Sequence, residues 1–191
     1  ALFAGVALDF NGKAQASMGV ELCDVNRDGR LDLLVTSFSE EYVALYQNAG
    51  SGFFDDTTLR NKALAATFPH VTWGIVGEDL DNNGYPDVMV GAGDLDLNRG
   101  ARGGTSKVTA YRVPNILLSG EAGGLRELRS GWGNAGSISE STRGLLAGDL
   151  NHDGWPDVVA LNAGSLPSIL RNDSAVASSA RSFVSIDLCG T

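Results

Sequence analysis

The chain has 191 residues, a formal net charge of −9 and 25 glycines. Phosphates repel a chain this acidic, which argues against binding to nucleic acid. No apolar run approaches the roughly 20 residues that a membrane-spanning helix needs, so we expect no membrane insertion.

The beginning of the chain, ALFAGVALDF, lacks the basic stretch that opens a secretory signal peptide. We therefore expect either that a signal peptide has been removed or that the sequence is a piece of a longer protein. The sequence leaves both alternatives open.

One nine-residue pattern occurs three times in the chain, as Asp24–Asp32 (loop 1), Asp79–Asp87 (loop 2) and Asp149–Asp157 (loop 3). Oxygen-bearing side chains stand at positions 1, 3, 5 and 9 of each copy, and glycine stands at position 6. Alternate side chains point inward, glycine allows the sharp turn, and the last carboxylate closes an oxygen shell around a hard cation. The pattern therefore predicts calcium loops and a repeat architecture.

The predicted ligands of each loop are its four oxygen-bearing side chains and the backbone carbonyl of position 7. They are Asp24, Asn26, Asp28, Arg30 and Asp32 in loop 1, Asp79, Asp81, Asn83, Tyr85 and Asp87 in loop 2, and Asp149, Asn151, Asp153, Trp155 and Asp157 in loop 3. About three Ca²⁺ ions per chain would offset six of the nine net negative charges. Loops of this kind predict dissociation constants on the order of 10⁻⁴ to 10⁻⁵ M, so the ions would be structural where calcium is millimolar.

An EF-hand begins with the same pattern, but two features argue against it. Its position 12 carries a bidentate glutamate, whereas these loops have Val35, Val90 and Ala160 there. The flanking segments have the length and composition of strands rather than of amphipathic helices.

Strand-length runs flank each loop and predict a β-hairpin. A run that opens on Gly19, Gly74 or Gly144 precedes the loop, and a run rich in Val and Leu follows it. A third run lies at 43–48, 115–119 and 168–172, and a turn with a fourth strand at 48–56, 121–128 and 183–188. Four antiparallel strands in each repeat are typical of a β-propeller blade.

The sequence thus predicts an all-β fold, a β-propeller fragment of about three four-stranded antiparallel blades with calcium loops. The predicted blades cover about 17–58, about 72–130 with an insertion at 92–114, and about 142–190. Propellers usually need four or more blades. We therefore expect the remaining blades to come from a larger parent propeller, with self-association into a closed ring as the alternative.

Two segments interrupt the repeat. Segment 59–72 links the first two blades and has room for a short helical turn. Insertion 92–114 is rich in glycine and is either a binding loop or a tolerated insertion. Asp94, Asp96 and Asn98 alternate within it, but no glycine and closing aspartate follow, so we predict no fourth metal site.

The two cysteines, Cys23 and Cys189, have no zinc-site spacing. We expect both to be small buried side chains. A disulfide bond between them is the alternative in a secreted protein.

The loops resemble the FG-GAP/VCBS calcium-loop repeats of integrin α-subunit propellers and of many bacterial secreted proteins. Segment 4–20 is similar to the segment that leads into a late blade of ASPIC/UnbV proteins, relatives of cartilage acidic protein. Segments 170–172 and 183–191 resemble the start of that family's C-terminal domain. The resemblance covers nearly the whole chain and implies a calcium-bound scaffold outside the cell, secreted or periplasmic. The chain departs from the family at Cys189, where an aliphatic residue is expected. From the resemblance we expect the earlier blades and most of the C-terminal domain to belong to a longer parent protein.

No catalytic set is visible, which favours a non-enzymatic scaffold that mediates interaction with or adhesion to a protein or a glycan. The histidines are His70 and His152, and no Ser/His/Asp spacing, nucleophile elbow or phosphate loop occurs. One alternative is the scaffold or carbohydrate-binding part of a carbohydrate-active enzyme. A carbohydrate-binding module is another, with Trp132 as its candidate aromatic, while Trp73 and Trp155 are expected to pack in or beside the blades.

Overall fold

The computed structural model describes residues 1–95 and 111–173. These residues form antiparallel sheets and contain no α-helix, which confirms the predicted all-β class and is consistent with a β-propeller fragment. Three short 3₁₀ helices occur in the described residues, at Thr58–Arg60, Lys62–Thr67 and Gly133–Ser137. The second of them provides the helical turn expected in segment 59–72.

The described residues form thirteen strands, and all but two of them follow the order that the repeat predicts. They are β1 (Val20–Cys23), β2 (Asp32–Val35), β3 (Ala44–Gly50), β4 (Phe53–Asp56), β5 (Thr72–Glu78), β6 (Asp87–Ala92), β7 (Val113–Pro114), β8 (Ile116–Glu121), β9 (Gly124–Glu127), β10 (Ser139–Glu140), β11 (Thr142–Gly148), β12 (Asp157–Asn162) and β13 (Ser168–Leu170). Sheet 1 has the strand order β1-β2-β3-β4, sheet 2 the order β5-β6-β8-β9, and sheet 3 the order β11-β12-β13. Strands β7 and β10 pair separately.

Several sequence predictions fall on parts of the chain outside the described residues. The fourth strand of the third repeat, predicted at 183–188, is one of them. Cys189, Asp96, Asn98 and most of insertion 92–114 are the others.

Sheet 2 lies between the other two large sheets, and both of its faces are buried. Val88 and Val90 pack on sheet 1, while Met89, which points to the opposite side, packs on sheet 3. All six residues of β6 are therefore buried. This explains why the sequence shows a continuous apolar run here rather than an alternation of apolar and polar residues.

The first strands of neighbouring sheets approach each other backbone to backbone at their beginnings. A Cβ atom placed on Gly74 of β5 would lie 2.6 Å from the backbone nitrogen of Leu145 and 2.8 Å from Cα of Gly144 in β11. A Cβ atom on Gly19, just before β1, would lie 2.1 Å from the carbonyl oxygen of Trp73. The glycines that open the first and second repeats are therefore required by the packing of one sheet on the next.

Cys23 has a free thiol that is buried between sheets 1 and 2. A Cβ atom on Gly77 would lie 2.6 Å from its sulfur, so the thiol packs against that backbone. Burial raises the pKa of Cys23 to about 12, with a smaller contribution from the neighbouring carboxylates. The prediction of a small buried side chain is confirmed for Cys23.

We predict that Gly74→Ala lowers the free energy of unfolding by roughly 1–3 kcal/mol, because the new methyl group meets backbone atoms that cannot move aside. Denaturant unfolding of the two proteins measures the difference. Gly123→Ala is the matched control, since a Cβ atom there meets nothing within 4 Å. Equal losses in the two variants would contradict the close approach of β5 and β11.

Candidate metal centres

The three loops occupy equivalent places in the three large sheets. Each connects the first strand of its sheet to the second, and the aspartate at position 9 is the first residue of that second strand. In every case the two strands are antiparallel neighbours, as the hairpin prediction requires.

The backbone of each loop enters the left-handed region twice. The glycine at position 6 has φ of 85° at Gly29, 88° at Gly84 and 85° at Gly154, as its place in the pattern predicts. Position 4 is also left-handed, with φ of 57°, 52° and 61° in loops 1, 2 and 3. Sequence reasoning missed this second turn, because asparagine in loop 2 and histidine in loop 3 favour it but arginine in loop 1 does not.

The aspartate at position 1 holds the loop together by accepting two backbone hydrogen bonds. In loop 2 the N–H of Asn83 donates to Oδ1 of Asp79 (2.9 Å), and the N–H of Gly84 donates to its Oδ2 (2.7 Å). Loops 1 and 3 repeat this arrangement at distances of 2.8–3.1 Å. The first predicted ligand therefore also organises the turn that brings the other ligands inward.

The aspartate at position 9 joins the loop to the third strand of its sheet. In loop 2 one oxygen of Asp87 accepts the N–H of Leu80 (3.0 Å), and the other accepts the N–H of Gly120 in β8 (2.7 Å). Asp32 makes the same pair of bonds, with Asn48 in β3 as its second donor. Asp157 accepts from its own loop and from Asn172, two residues after β13. All three carboxylates are buried. This role was not predicted, since a sequence pattern does not show that the third strand lies beside the loop.

The carboxylates of loop 2 form a group that could hold a metal ion. One oxygen each of Asp79, Asp81 and Asp87 lies within 4.8 Å of the other two. Three oxygens that each lie about 2.3–2.6 Å from one calcium ion are separated from one another by no more than roughly 5 Å. The geometry of these three residues therefore fits a shared cation.

The electrostatics of this group also fit a cation. The pKa of Asp87 is raised to about 6, mainly by burial and also by the neighbouring carboxylates of Asp81 and Asp79, while the two backbone hydrogen bonds act in the opposite direction. A cation among the three carboxylates would favour their charged forms and would offset this cost.

Loops 1 and 3 hold their carboxylates differently, because position 3 is asparagine. The side-chain amide of Asn26 donates to Oδ2 of Asp28 (3.1 Å), and that of Asn151 donates to Oδ2 of Asp153 (2.8 Å). Arg30 also forms an ion pair with Asp28. In these loops the position-5 carboxylate is therefore already bound by donors of its own loop. The binding of three ions per chain remains a prediction.

Position 7 contacts the loop through its N–H group. The N–H of Arg30, of Tyr85 and of Trp155 each donates to the side-chain oxygen of position 5, at 2.7–3.0 Å. The predicted coordination by the carbonyl of position 7 stays a prediction.

Neighbouring loops contact one another along one side of the three sheets. The guanidinium of Arg27 in loop 1 lies over the ring of Tyr85 in loop 2, 4.9 Å from its centre. The side-chain amide of Asn82 in loop 2 donates to the carbonyl oxygen of Gly154 in loop 3 (3.2 Å). The positions of the loops are thus coupled through direct contacts.

The tryptophans considered as glycan contacts are tied to the sheets. Trp132 is half-buried and packs on the apolar cluster between sheets 2 and 3. The indole N–H of Trp73 donates to the carbonyl oxygen of Gly93 (2.8 Å), and Arg143 covers its ring at 4.1 Å. Trp155 is buried, so Trp73 and Trp155 pack as the sequence predicts.

The two histidines and Asp94 are not among the residues that form the carboxylate group. His152 is exposed. His70 is partly buried, and desolvation lowers its pKa. Asp94 is buried, and its Oδ1 accepts the N–H of Leu95 (2.6 Å).

We predict that Asp157→Asn lowers the free energy of unfolding by roughly 1–3 kcal/mol even in the presence of a chelator. In the unsubstituted chain each oxygen of this carboxylate accepts a backbone N–H. In the variant, the side-chain NH2 group would replace one of these oxygens and face an N–H group that has lost its acceptor. Denaturant unfolding in chelator measures this loss without any contribution from calcium. The control is Asp173→Asn, which removes a charge from an exposed ion pair with Arg171 and should change stability by no more than about 0.5 kcal/mol.

A loss that appeared only in calcium would contradict this structural role of Asp157. It would assign the residue to metal binding alone.

The described residues contain no helix with the length and hydropathy that a membrane span requires.

Comparison with family models finds a match to the FG-GAP-like repeat over residues 24–90. The matched segment begins at the first residue of loop 1, includes all of loop 2 and ends within β6. The match supports the FG-GAP repeat family, and with it a β-propeller-type scaffold, for a segment of this chain that contains two of the three loops.

Proposed function

We propose that this chain is a calcium-binding β-propeller scaffold of an extracellular, secreted or periplasmic protein, and that it mediates interaction or adhesion without catalysing a reaction. The observation that carries the proposal is the group of Asp79, Asp81 and Asp87, whose oxygens lie within 4.8 Å of one another. The similarity of residues 24–90 to the FG-GAP-like repeat supports the scaffold.

Calcium is the cation that this donor set favours. The donors are carboxylate, amide and carbonyl oxygens in an irregular loop, and calcium accepts six to eight such oxygens in flexible geometry. Magnesium demands a nearly ideal octahedron and keeps several of its waters. The proposed ligands are the position 1, 3, 5, 7 and 9 residues of each loop, and the bound ion would supply positive charge.

The proposed role of the ion is structural. Each loop joins the first two strands of its sheet, and its position-9 aspartate also bonds to the third strand or, in loop 3, to Asn172 two residues after that strand. A cation bound by the loop would therefore stabilise the contact between three strands. At a concentration one hundred times the dissociation constant, one such site contributes about 2.7 kcal/mol to folding.

The location outside the cell is proposed from the expected affinity and from the family. Sites with dissociation constants on the order of 10⁻⁴ to 10⁻⁵ M stay filled where calcium is millimolar. FG-GAP repeats are typically extracellular, and residues 24–90 match such a repeat. We also propose that the remaining blades come from a larger parent propeller, since propellers usually have four or more blades.

The calcium proposal is tested by calorimetric titration of the chain with Ca²⁺, together with thermal melts in calcium and in chelator. We expect binding with dissociation constants on the order of 10⁻⁴ to 10⁻⁵ M and a higher melting temperature in calcium.

Asp81→Asn should weaken calcium binding at one site at least tenfold. It keeps an oxygen to accept the N–H of Asn83 but removes a charge from the group.

Asp55→Asn is the control for this experiment, because it removes one carboxylate from an exposed position of β4. It should bind calcium as the unsubstituted chain does. A folded chain that bound no Ca²⁺ at millimolar concentration would overturn the proposal, as would equal affinities in the Asp81 variant and the unsubstituted chain.

The partner class is tested on a glycan array, probed in calcium and in chelator. Signals that disappear in chelator would support a glycan partner that requires the calcium-loaded scaffold. An array without such signals would leave a protein as the proposed partner.

A further inference from the structure

Asn172 joins loop 2 to loop 3 through one side chain. Its amide Nδ2 donates to the carbonyl oxygen of Leu80 in loop 2 (2.6 Å) and to that of Pro156 in loop 3 (3.1 Å). Its backbone N–H donates to Oδ1 of Asp157 (2.8 Å), the buried carboxylate that ends loop 3. Asn172 therefore contacts both loops at once.

Leu80 extends this contact to the buried carboxylate of loop 2. Its N–H donates to Oδ2 of Asp87 (3.0 Å), while its carbonyl oxygen accepts the amide of Asn172. The position-9 aspartates of the two loops, Asp87 and Asp157, are thus connected through two residues. A movement of either carboxylate toward a cation would therefore displace a residue that is hydrogen-bonded to the other loop.

A second bridge joins the same two loops. The side-chain amide of Asn82, at position 4 of loop 2, donates to the carbonyl oxygen of Gly154 (3.2 Å). The N–H of the same peptide group belongs to Trp155 and donates to Oδ1 of Asp153 (3.0 Å), a predicted ligand of loop 3. Hydrogen bonds at the two ends of one peptide group polarise each other. Asn82 itself directly follows Asp81 of the carboxylate group.

The junction of loops 1 and 2 is built differently. The residue of sheet 2 that corresponds to Asn172 is Gly120, which makes the same backbone bond to a position-9 carboxylate but has no side chain to reach loop 1. A Cβ atom on Gly120 would lie 2.3 Å from the carbonyl oxygen of Pro86, so no side chain fits there. Across this junction Arg27 contacts the ring of Tyr85. That contact joins two side chains, whereas the bridges between loops 2 and 3 involve groups that are hydrogen-bonded to predicted ligands.

We propose that Asn172 and Asn82 couple the metal sites of loops 2 and 3, so that a Ca²⁺ ion in one loop raises the affinity of the other, while loop 1 binds its ion more independently. This inference rests on the proposed calcium-binding function. The two loops share hydrogen-bond partners, so the first ion orders groups that the second ion also needs. By thermodynamic linkage, the effect of loop 3 on loop 2 equals that of loop 2 on loop 3.

The coupling is tested by Ca²⁺ titrations of the chain that are followed in ¹H–¹⁵N NMR spectra. The N–H groups of Gly29, Gly84 and Gly154 each donate to the position-1 aspartate of their own loop, at 2.7–2.8 Å. Their signals therefore report the three loops separately. We expect Asp81→Asn, which removes a ligand from loop 2, to weaken Ca²⁺ binding at loop 3 by at least about fivefold and at loop 1 by less than about twofold.

The two bridges are then removed by Asn82→Gly combined with Asn172→Ala. Glycine suits the φ of 52° at position 82, and Asn172→Ala keeps the backbone N–H that donates to Asp157. In this background Asp81→Asn should weaken Ca²⁺ binding at loop 2 alone, because the shared hydrogen-bond partners are gone.

Asn48→Ala is the matched control, since the amide of Asn48 donates to the carbonyl oxygen of Leu31 in its own repeat (3.1 Å). In that variant Asp81→Asn should still weaken Ca²⁺ binding at loop 3. Asn82→Gly and Asn172→Ala are also made singly, and each should reduce the coupling between the two loops. The single variants decide the question where the double variant does not fold.

An unchanged affinity of loop 3 in the Asp81 variant would overturn the proposal. Equal losses at loops 1 and 3 would also overturn it, because they would indicate a through-space effect of the lost charge. A coupling that survives the removal of both bridges would do the same. If none of the three glycine signals responded to Ca²⁺, the calcium-binding function itself would fail, whereas independent responses of the loops would overturn the coupling alone.

Discussion

The buried carboxylate at position 9 of each loop is the constraint on which the rest of the structure depends. Asp32, Asp87 and Asp157 are desolvated, and each accepts one N–H from its own loop and one from the chain at the third strand of its sheet. A buried carboxylate without such partners would be very unfavourable. The two hydrogen bonds therefore fix the loop, the hairpin and the third strand relative to one another.

Burial of these acids disfavours their charged forms, and in loop 2 two neighbouring carboxylates add to this electrostatic cost. The carboxylates of Asp79 and Asp81 lie beside that of Asp87, whose pKa burial raises to about 6. The hydrogen bonds to the backbone offset part of this cost. A divalent cation is the charge that would offset the remainder, which is why the geometry that stabilises the loop also makes it a candidate metal centre.

The same repeat controls how the sheets pack. Successive side chains alternate between the two faces of a sheet, so a sheet between two others needs apolar residues on both faces. In sheet 2, Val88 packs on sheet 1 and Met89 packs on sheet 3. Sheets 1 and 3 also carry apolar side chains on their outer faces, yet Val20 and Ile169 there are exposed. Their apolar outer faces follow from a repeat that is written in the same way in all three units.

The sequence by itself determined the strands, the hairpins and the oxygen-rich loops, because hydrophobic periodicity and the glycine at position 6 are local signals. Only the tertiary structure decided which loop groups three carboxylates. Asp81 occupies position 3 in loop 2, whereas the amide of Asn26 binds Asp28 in loop 1. It also decided the bond from Asp87 to Gly120, 33 residues away, and the approach of Gly74 to β11. The bond to Gly120 and the approach to β11 join residues distant along the chain, so they depend on how strands and sheets pack and leave no local pattern in the sequence.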